Sequence, residues 1–207
     1  MKKLKIPEQT VERLPLYLRR TEELYSDGEE SVTSHQFVKD LPGINSDNLR
    51  KDLSYFGSYG KKGSGYDISQ LQEELRNILR LHMETLVVLV GAGNLGTALL
   101  THQDFNRWGF RITAAFDNDP DKIDDPIGGI RVRPTHDMRP TIQDEGIEVA
   151  MIAVPSDSAQ LVADSLVSAG IKGILNFAPA LLEVPPEITV KQMDITSKLK
   201  ELNYYLD

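Results

Sequence analysis

Apolar positions change their rhythm once along this chain. From Ile6 to Leu79 they recur every three or four residues, as on the buried faces of short helices. From Leu86 onward they gather into short runs separated by helical stretches. The change falls between Met83 and Leu86 and divides the sequence into residues 1–85 and 86–207.

In the first part, Pro7 suits an opening helical turn. Pro15 has no N–H to donate and predicts a kink or break. Leu14, Leu18 and Tyr25 fall roughly on one face, and Gly28 ends the segment. Thr33 with Gln36 makes a capping-box pattern. Phe37 and Leu41 share a face, and Pro42 and Gly43 stop that helix. Asn45 or Ser46 can cap the next, whose stripe is Leu49, Leu53 and Phe56. Two short helices across a tight turn predict a helix-turn-helix. Gly57, Gly60, Gly63 and Gly65 then predict a turn-rich hairpin. Ile68, Leu71, Leu75, Ile78 and Leu79 mark an amphipathic linker helix.

The second part predicts strands at Leu86–Val90, Ile112–Phe116, Glu148–Val154, Gly173–Asn176 and near Ile188–Gln192. Helices are expected at Leu95–Gln103 and Ser158–Ala169. A terminal helix carries the stripe Ile195, Leu199, Leu202 and Leu206, with Asp194 as its cap. Strands alternating with helices predict an α/β fold with a mostly parallel, doubly wound sheet.

Composition narrows the function. The 207 residues are 40% hydrophobic and 26% charged, as in an ordinary globular protein. There is no cysteine, which excludes disulfides and thiolate metal sites and fits a reducing cytoplasm. The start has lysines but no apolar segment after them, so no signal peptide is expected. The longest apolar run, LVVLV, is too short to span a bilayer. The net charge of −8 argues against nucleic acid as a partner if read globally. Residues 86–207 carry −7 of it, so the first part is near neutral and can hold a local basic patch.

Gly91, Gly93 and Gly96 form G-x-G-x-x-G directly after a predicted strand. That context suits a dinucleotide pyrophosphate at the start of the following helix. The next strand ends in Asp117, where a carboxylate accepts from a ribose diol and repels a 2′-phosphate, favouring NAD(H) over NADP(H). Asp119 is a second candidate for that role.

On the second short helix the leucines claim one face and leave Asn48, Arg50, Lys51 and Ser54 outward. Arg50 can bond a guanine edge with two N–H groups, and Lys51 can reach a base or phosphate. Lys61 and Lys62 lie between hairpin glycines, which suits a phosphate track or a narrow minor groove. The order helix-turn-helix, basic hairpin, long helix predicts a winged-helix DNA-binding domain.

Chemistry beyond binding is thin. His35, His82, His102 and His136 show no metal-ligand spacing, and no nucleophile elbow, Walker loop or paired-carboxylate motif occurs. The 122 residues from 86 to 207 barely complete a nucleotide-binding sheet, leaving no second domain for a substrate. A sensor is expected rather than an enzyme. A small NAD-dependent oxidoreductase and a binder of another nucleotide, such as coenzyme A, are the alternatives.

Together, RKDLSYFGSYGKKGSGYD, VGAGNLGTAL, AFDNDPDKI, AVPS, GIKGILNFAP and MDIT resemble the Rex family of bacterial redox-sensing transcriptional repressors, in the family's order from about Ile6 to Leu206. The resemblance implies a homodimer with an N-terminal winged helix and a C-terminal Rossmann domain, the last helix (about 195–206) being exchanged onto the partner. It implies binding to double-stranded palindromic operator DNA when NADH is low, and release when NADH closes the dimer and NAD⁺ no longer opposes it. By motif, Gly91, Ala92, Gly93, Asn94, Leu95 and Gly96 match the dinucleotide loop, and Asp117, Asp119 and Lys122 the adenosine-ribose region. Ala153, Val154 and Pro155, with Asn176, Phe177, Ala178 and Pro179, match segments approaching the nicotinamide end. Arg19 and Asp194 match state-dependent polar contacts. His102 stands where the family commonly has a tyrosine in the same switch, and the titration of imidazole near neutrality would make that switch pH-sensitive.

Overall fold

The computed structural model describes residues 6–61, 65–102 and 104–206. It divides into two units, Met1–Met83 and Glu84–Asp207. The division lies two residues before the 85/86 boundary read from the apolar pattern. Thr85 already pairs with Phe110 in the sheet, and Glu84 reaches Arg111.

In the first unit, α1 (Glu8–Ser26) continues through Pro15, so the helix does not break there. Pro15 and Val11 both lie on the exposed face, so the carbonyl deprived of its donor can be hydrated. The buried face is Leu14, Tyr17, Leu18, Thr21 and Leu24, while Tyr25 points outward. β1 (Ser31–Val32) leads into α2 (Ser34–Val38), which ends before Leu41. α3 (Ser46–Ser54) follows, then β2 (Gly60–Lys61), β3 (Gly65–Asp67) and α4 (Ile68–Ile78). The strands form an antiparallel sheet in the order β1-β3-β2, the wing of a winged helix. Tyr17, Phe37 and Tyr66 pack edge to face in the core, which favours such T-shaped pairs.

The second unit is a seven-stranded sheet. Its strands are β4 (Thr85–Val90), β5 (Phe110–Asp117), β6 (Pro126–Ile127), β7 (Ile130–Pro134), β8 (Val149–Ile152), β9 (Gly173–Asn176) and β10 (Thr189–Gln192). The order is β10-β9-β8-β4-β5-β7-β6, parallel except for β6. Its helices are α5 (Asn94–Leu100), α6 (Asp104–Arg107), α7 (Met138–Glu145), α8 (Ser156–Ala169) and α9 (Ile195–Asn203). β4 is buried on both faces. Val88 and Val90 join one core with Ile142 and Leu166, and Val87 and Leu89 join the other with Leu100 and Val132. That double burial explains the continuous apolar run of the strand. α5 stops three residues short of the expected end because Thr101 caps it, and Gln103 lies outside the described residues. β6, β7, α6 and α7 were not expected from the pattern. α9 buries none of its residues, and Ile195, Leu199, Leu202 and Leu206 are all exposed.

Candidate nucleotide cleft and DNA-binding face

Strand order reverses at β4, whose neighbours are β5 on one side and β8 on the other. In open α/β sheets a crevice forms there, beyond the carboxyl ends of the strands. A cleft of about 790 Å³ lies at that place, within the range of small-molecule sites. It brings together Gly91, Gly93, Asp117, Asp119 and Lys122 with Ala153, Val154 and Pro155. Ala92 and Gly96 are buried beneath it, and Asn94 and Leu95 are exposed at the start of α5.

Two glycines are obligatory for packing. Gly91 has φ +100°, and a Cβ there would lie 2.5 Å from the carbonyl oxygen of Ala153. A Cβ on Gly96 would lie 1.9 Å from the carbonyl oxygen of Gly91, so the helix could not approach the strand. Gly93 differs: a Cβ there would meet nothing within 4 Å. Gly93 is also one of the residues lining the cleft.

Asp117 fixes this loop. Its Oδ2 accepts from the Ala92 N–H at 2.7 Å and its Oδ1 from the Asp119 N–H at 2.9 Å, with Lys122 Nζ 3.4 Å away. Burial alone would push its pKa up, but the two backbone donors and Lys122 outweigh it and hold the group below the ordinary carboxylate range. Asp119 is more exposed and accepts from the Asp121 N–H, with Lys122 at 3.3 Å. The far wall comes from the start of α7 and from α8, with Thr135, His136, Met138, Arg139 and Val162. The sequence reading missed these residues, His136 having been considered only for metal-ligand spacing. No motif marks them, because the crossover from β7 into α7 brings them to the cleft.

Asn176 to Pro179 are not among the residues lining this cleft, but the Phe177 N–H donates to the Ile152 carbonyl, next to Ala153 of its wall. Asn176 is fully buried, and its amide is spent on Ala178, Ala180 and Gln192. Asp194 caps α9 by accepting from the Ser197 N–H at 3.0 Å and the Ser197 hydroxyl at 2.6 Å. Those bonds hold its pKa low. His102 sits exposed after α5, its ring edge-on to Phe105 and 3.9 Å from Asp104. Arg19 is exposed on α1.

On the first unit, Asn45, not Ser46, caps α3. Its side chain accepts from the Asp47 and Asn48 N–H groups, and Asn48 returns the favour to the Asn45 N–H. Asn48, expected on the outward face, gives its carbonyl oxygen to this capping box. Arg50 and Lys51 are exposed. Arg50 is held by Ser34 Oγ at 2.7 Å and Asp47 at 2.6 Å. The Ser54 hydroxyl bonds the Lys51 carbonyl. Lys61 ends β2, and Lys62 lies outside the described residues.

Beneath this face lies a feature absent from the sequence reading. Asp52 of α3 is 1% exposed and accepts from Thr10 Oγ1 (2.8 Å), Tyr17 OH (2.7 Å) and Arg13 (2.6 and 2.8 Å), all on α1. Burial opposes its ionisation, yet these donors hold its pKa low, while the tyrosine is pushed up by burial and by Asp52. The network ties α3 to α1.

A winged helix and a Rossmann domain with a nucleotide cleft, on one chain, define a class of DNA-binding regulator rather than a catalyst. Residues 82–180 match a family model described as "CoA binding domain", and residues 5–54 one described as "Putative DNA-binding protein N-terminus". The redox-sensing transcriptional repressor Rex of Brevibacillus brevis is 44% identical over 98% of this chain and 97% of its own length. Its namesake from Streptomyces coelicolor is 43% identical over 97% of this chain and 77% of its own. RSP, a Rex-family repressor solved with NAD⁺ and operator DNA, aligns with a TM-score of 0.93 at 31% identity, over 98% of this chain and 93% of that one. With NADH bound, the same repressor gives 0.89 at 30% identity, over 98% and 95% of the two chains. This chain belongs to the Rex family of redox-sensing transcriptional repressors.

Among the described residues no helix is long and apolar enough to cross a membrane, and no group of three or more metal-ligating side chains occurs.

Proposed function

We propose that this protein is a dimeric cytoplasmic repressor that reads the NADH to NAD⁺ balance, with NAD⁺ permitting operator binding and NADH releasing it. One observation carries the reading. The same chain holds a winged helix and a cleft whose glycine loop is open at Gly93, and RSP has been solved with NAD⁺ and operator DNA in this fold.

In this reading residues 1–85 bind DNA and residues 86–207 bind the dinucleotide and dimerise. The pyrophosphate lies over Gly91–Gly96. Asp117 holds the loop, and Asp119 with Lys122 meets the adenosine ribose. NADH and NAD⁺ differ by a hydride and a charge at the nicotinamide, so discrimination falls to Ala153–Pro155 and Phe177–Pro179. The exposed stripe of α9 fits exchange onto a second copy, because an apolar helix face left wholly in water would be costly. Arg19, His102 and Asp194 supply polar contacts that differ between the two states.

A ligand shifts a two-state equilibrium only by its difference in affinity for the states. NADH therefore favours the released dimer, and operator DNA weakens NADH binding by the same factor. The two α3 helices would enter successive major grooves about 34 Å apart, so rotating the subunits spoils both half-sites together.

Fluorescence anisotropy on a palindromic operator, titrated with NADH with and without NAD⁺, tests this. Release by NADH opposed by NAD⁺ is expected, and DNA binding indifferent to both would overturn it. Arg50→Ala should cost about 1–3 kcal/mol of operator affinity and relax base preference. Equal loss on random DNA would reduce Arg50 to a phosphate contact. The match to a family described as coenzyme A binding favours a second reading, in which the cleft takes another nucleotide. Displacement of bound NADH by coenzyme A would support it.

A further inference from the structure

We infer that Asn176 and Gln192 are positioning residues for the response to NADH, passing a change at the Phe177–Pro179 loop to the root of α9. The inference rests on the redox-sensing reading above and adds the residues that connect its two ends.

Asn176 closes β9 and Gln192 closes β10, its parallel neighbour. The two side chains form an amide pair. Asn176 Nδ2 donates to Gln192 Oε1 at 2.8 Å and to the Ala180 carbonyl at 2.9 Å. Asn176 Oδ1 accepts from the Ala178 N–H at 3.0 Å. Gln192 Nε2 donates to the Ala178 carbonyl at 2.7 Å. Ala178, at the centre of the loop, is thus held through both its N–H and its carbonyl, one by each amide. The Met193 N–H donates to the Asn176 carbonyl at 2.8 Å, continuing the ladder. One residue later Asp194 caps α9.

The loop is tied on its other side as well. The Phe177 N–H donates to the Ile152 carbonyl, and Ile152 precedes Ala153 of the cleft. A continuous set of hydrogen bonds therefore runs from the cleft wall through the loop to the start of α9. Asn176 is fully buried, so the loop cannot shift alone without stranding an amide away from water. Either the loop stays, or Gln192 and the strand end beside α9 move with it. Its own chain buries none of α9, so within one subunit the helix is positioned from this root, and its apolar stripe is left for the second copy.

An amide pair whose only task is to hold the fold makes a different prediction. Its loss would weaken NADH binding to the free protein and to the operator complex alike. A coupling pair changes the ratio of the two. Gln192 lies at an exposed strand end, so its replacement should leave the fold intact. Gln192→Met keeps the length of the side chain and removes both polar groups. Gln192→Glu keeps the acceptor for Asn176 and removes the donor to Ala178.

The experiment measures NADH affinity by calorimetry with and without saturating operator, in wild type and both variants. In wild type the operator should weaken NADH binding, by a factor within the usual range of about 5–150. In Gln192→Met that factor should fall toward one, with affinity of the free protein nearly unchanged. Gln192→Glu should lie between. A wild-type factor in Gln192→Met, or an equal loss of NADH affinity with and without operator, overturns the inference. A wild-type factor of one overturns the redox-sensing reading itself, which makes the two failures distinguishable.

Discussion

Asp52 in the first domain and Asp117 in the second are both nearly withdrawn from water, at 1% and 7% exposure, and both stay ionised against the cost of burial. They do it differently. Asp52 takes four hydrogen bonds from three side chains of one helix, two of them from Arg13. A carboxylate offers about four acceptor positions, so Asp52 is filled. Asp117 takes one bond on each oxygen from backbone N–H groups, with Lys122 Nζ 3.4 Å from Oδ2. Asp117 also lines the cleft. A saturated buried acid is a structural tie, while one left partly open at a cleft can still serve a ligand.

The first way to break this comparison is to neutralise Asp52. Asp52→Asn leaves the Arg13 guanidinium, three-quarters buried, without its counter-charge, and turns an amide N–H₂ toward donors. The expected loss is about 3 kcal/mol of folding stability, read by urea denaturation. NADH affinity of the Rossmann domain should not change. A loss below about 1 kcal/mol would mean that the network contributes little beyond what water supplies.

Asp117→Asn should cost less, about 1–2 kcal/mol, because one of two backbone N–H groups loses its acceptor. Unlike the first variant, it should also raise the NADH concentration needed to release operator. Equal stability losses in the two variants would erase the distinction between tie and site.

Acid should bring out what they share. Both carboxylates are held below the ordinary value, so their contribution is complete above the unfolded pKa of about 3.9. It is lost as pH falls through the lower folded value. The stability gap between wild type and Asp52→Asn should therefore be largest near neutrality and narrow below about pH 4. Denaturation midpoints measured between pH 7 and 3 would show it, and a gap independent of pH would remove charge as its source.

What the sequence made legible follows from how local each feature is. The glycine loop, the strand ending in Asp117 and the caps of α2 and α3 are written within a few residues, and all can be read there. Asp52 was not singled out, because its partners lie 35 to 42 positions away. In retrospect Thr10, Arg13 and Tyr17 recur at helical spacing on α1, a polar stripe beside an apolar one. Ile130 and Val132 alternate with Arg131 and Arg133, a strand pattern too short to stand out beside the longer runs. The cleft wall formed by His136 and Arg139 follows from where a crossover lands, which only the assembled sheet determines. Asn48 adds a role that the pattern did not mark, the return bond of the α3 capping box.

The smallest stability effect tests the cleft most directly. Gly96→Ala and Gly93→Ala add the same methyl group to the same loop, three residues apart. At Gly96 it would strike the Gly91 carbonyl at 1.9 Å, so the loop must shift. At Gly93 the backbone is extended, with φ −73° and ψ −166°, and no protein atom lies within 4 Å. Gly93→Ala should therefore fold within about 0.5 kcal/mol of wild type and bind operator normally. The methyl group would project where a pyrophosphate must approach the backbone. The NADH concentration that releases operator should rise at least about tenfold, equivalent to about 1.4 kcal/mol of lost binding. Anisotropy with NADH and a denaturation curve on the same sample separate the two quantities. Release at the wild-type NADH level would mean that the space beside Gly93 is not where the nucleotide binds, and that Asp117 is a second structural tie like Asp52.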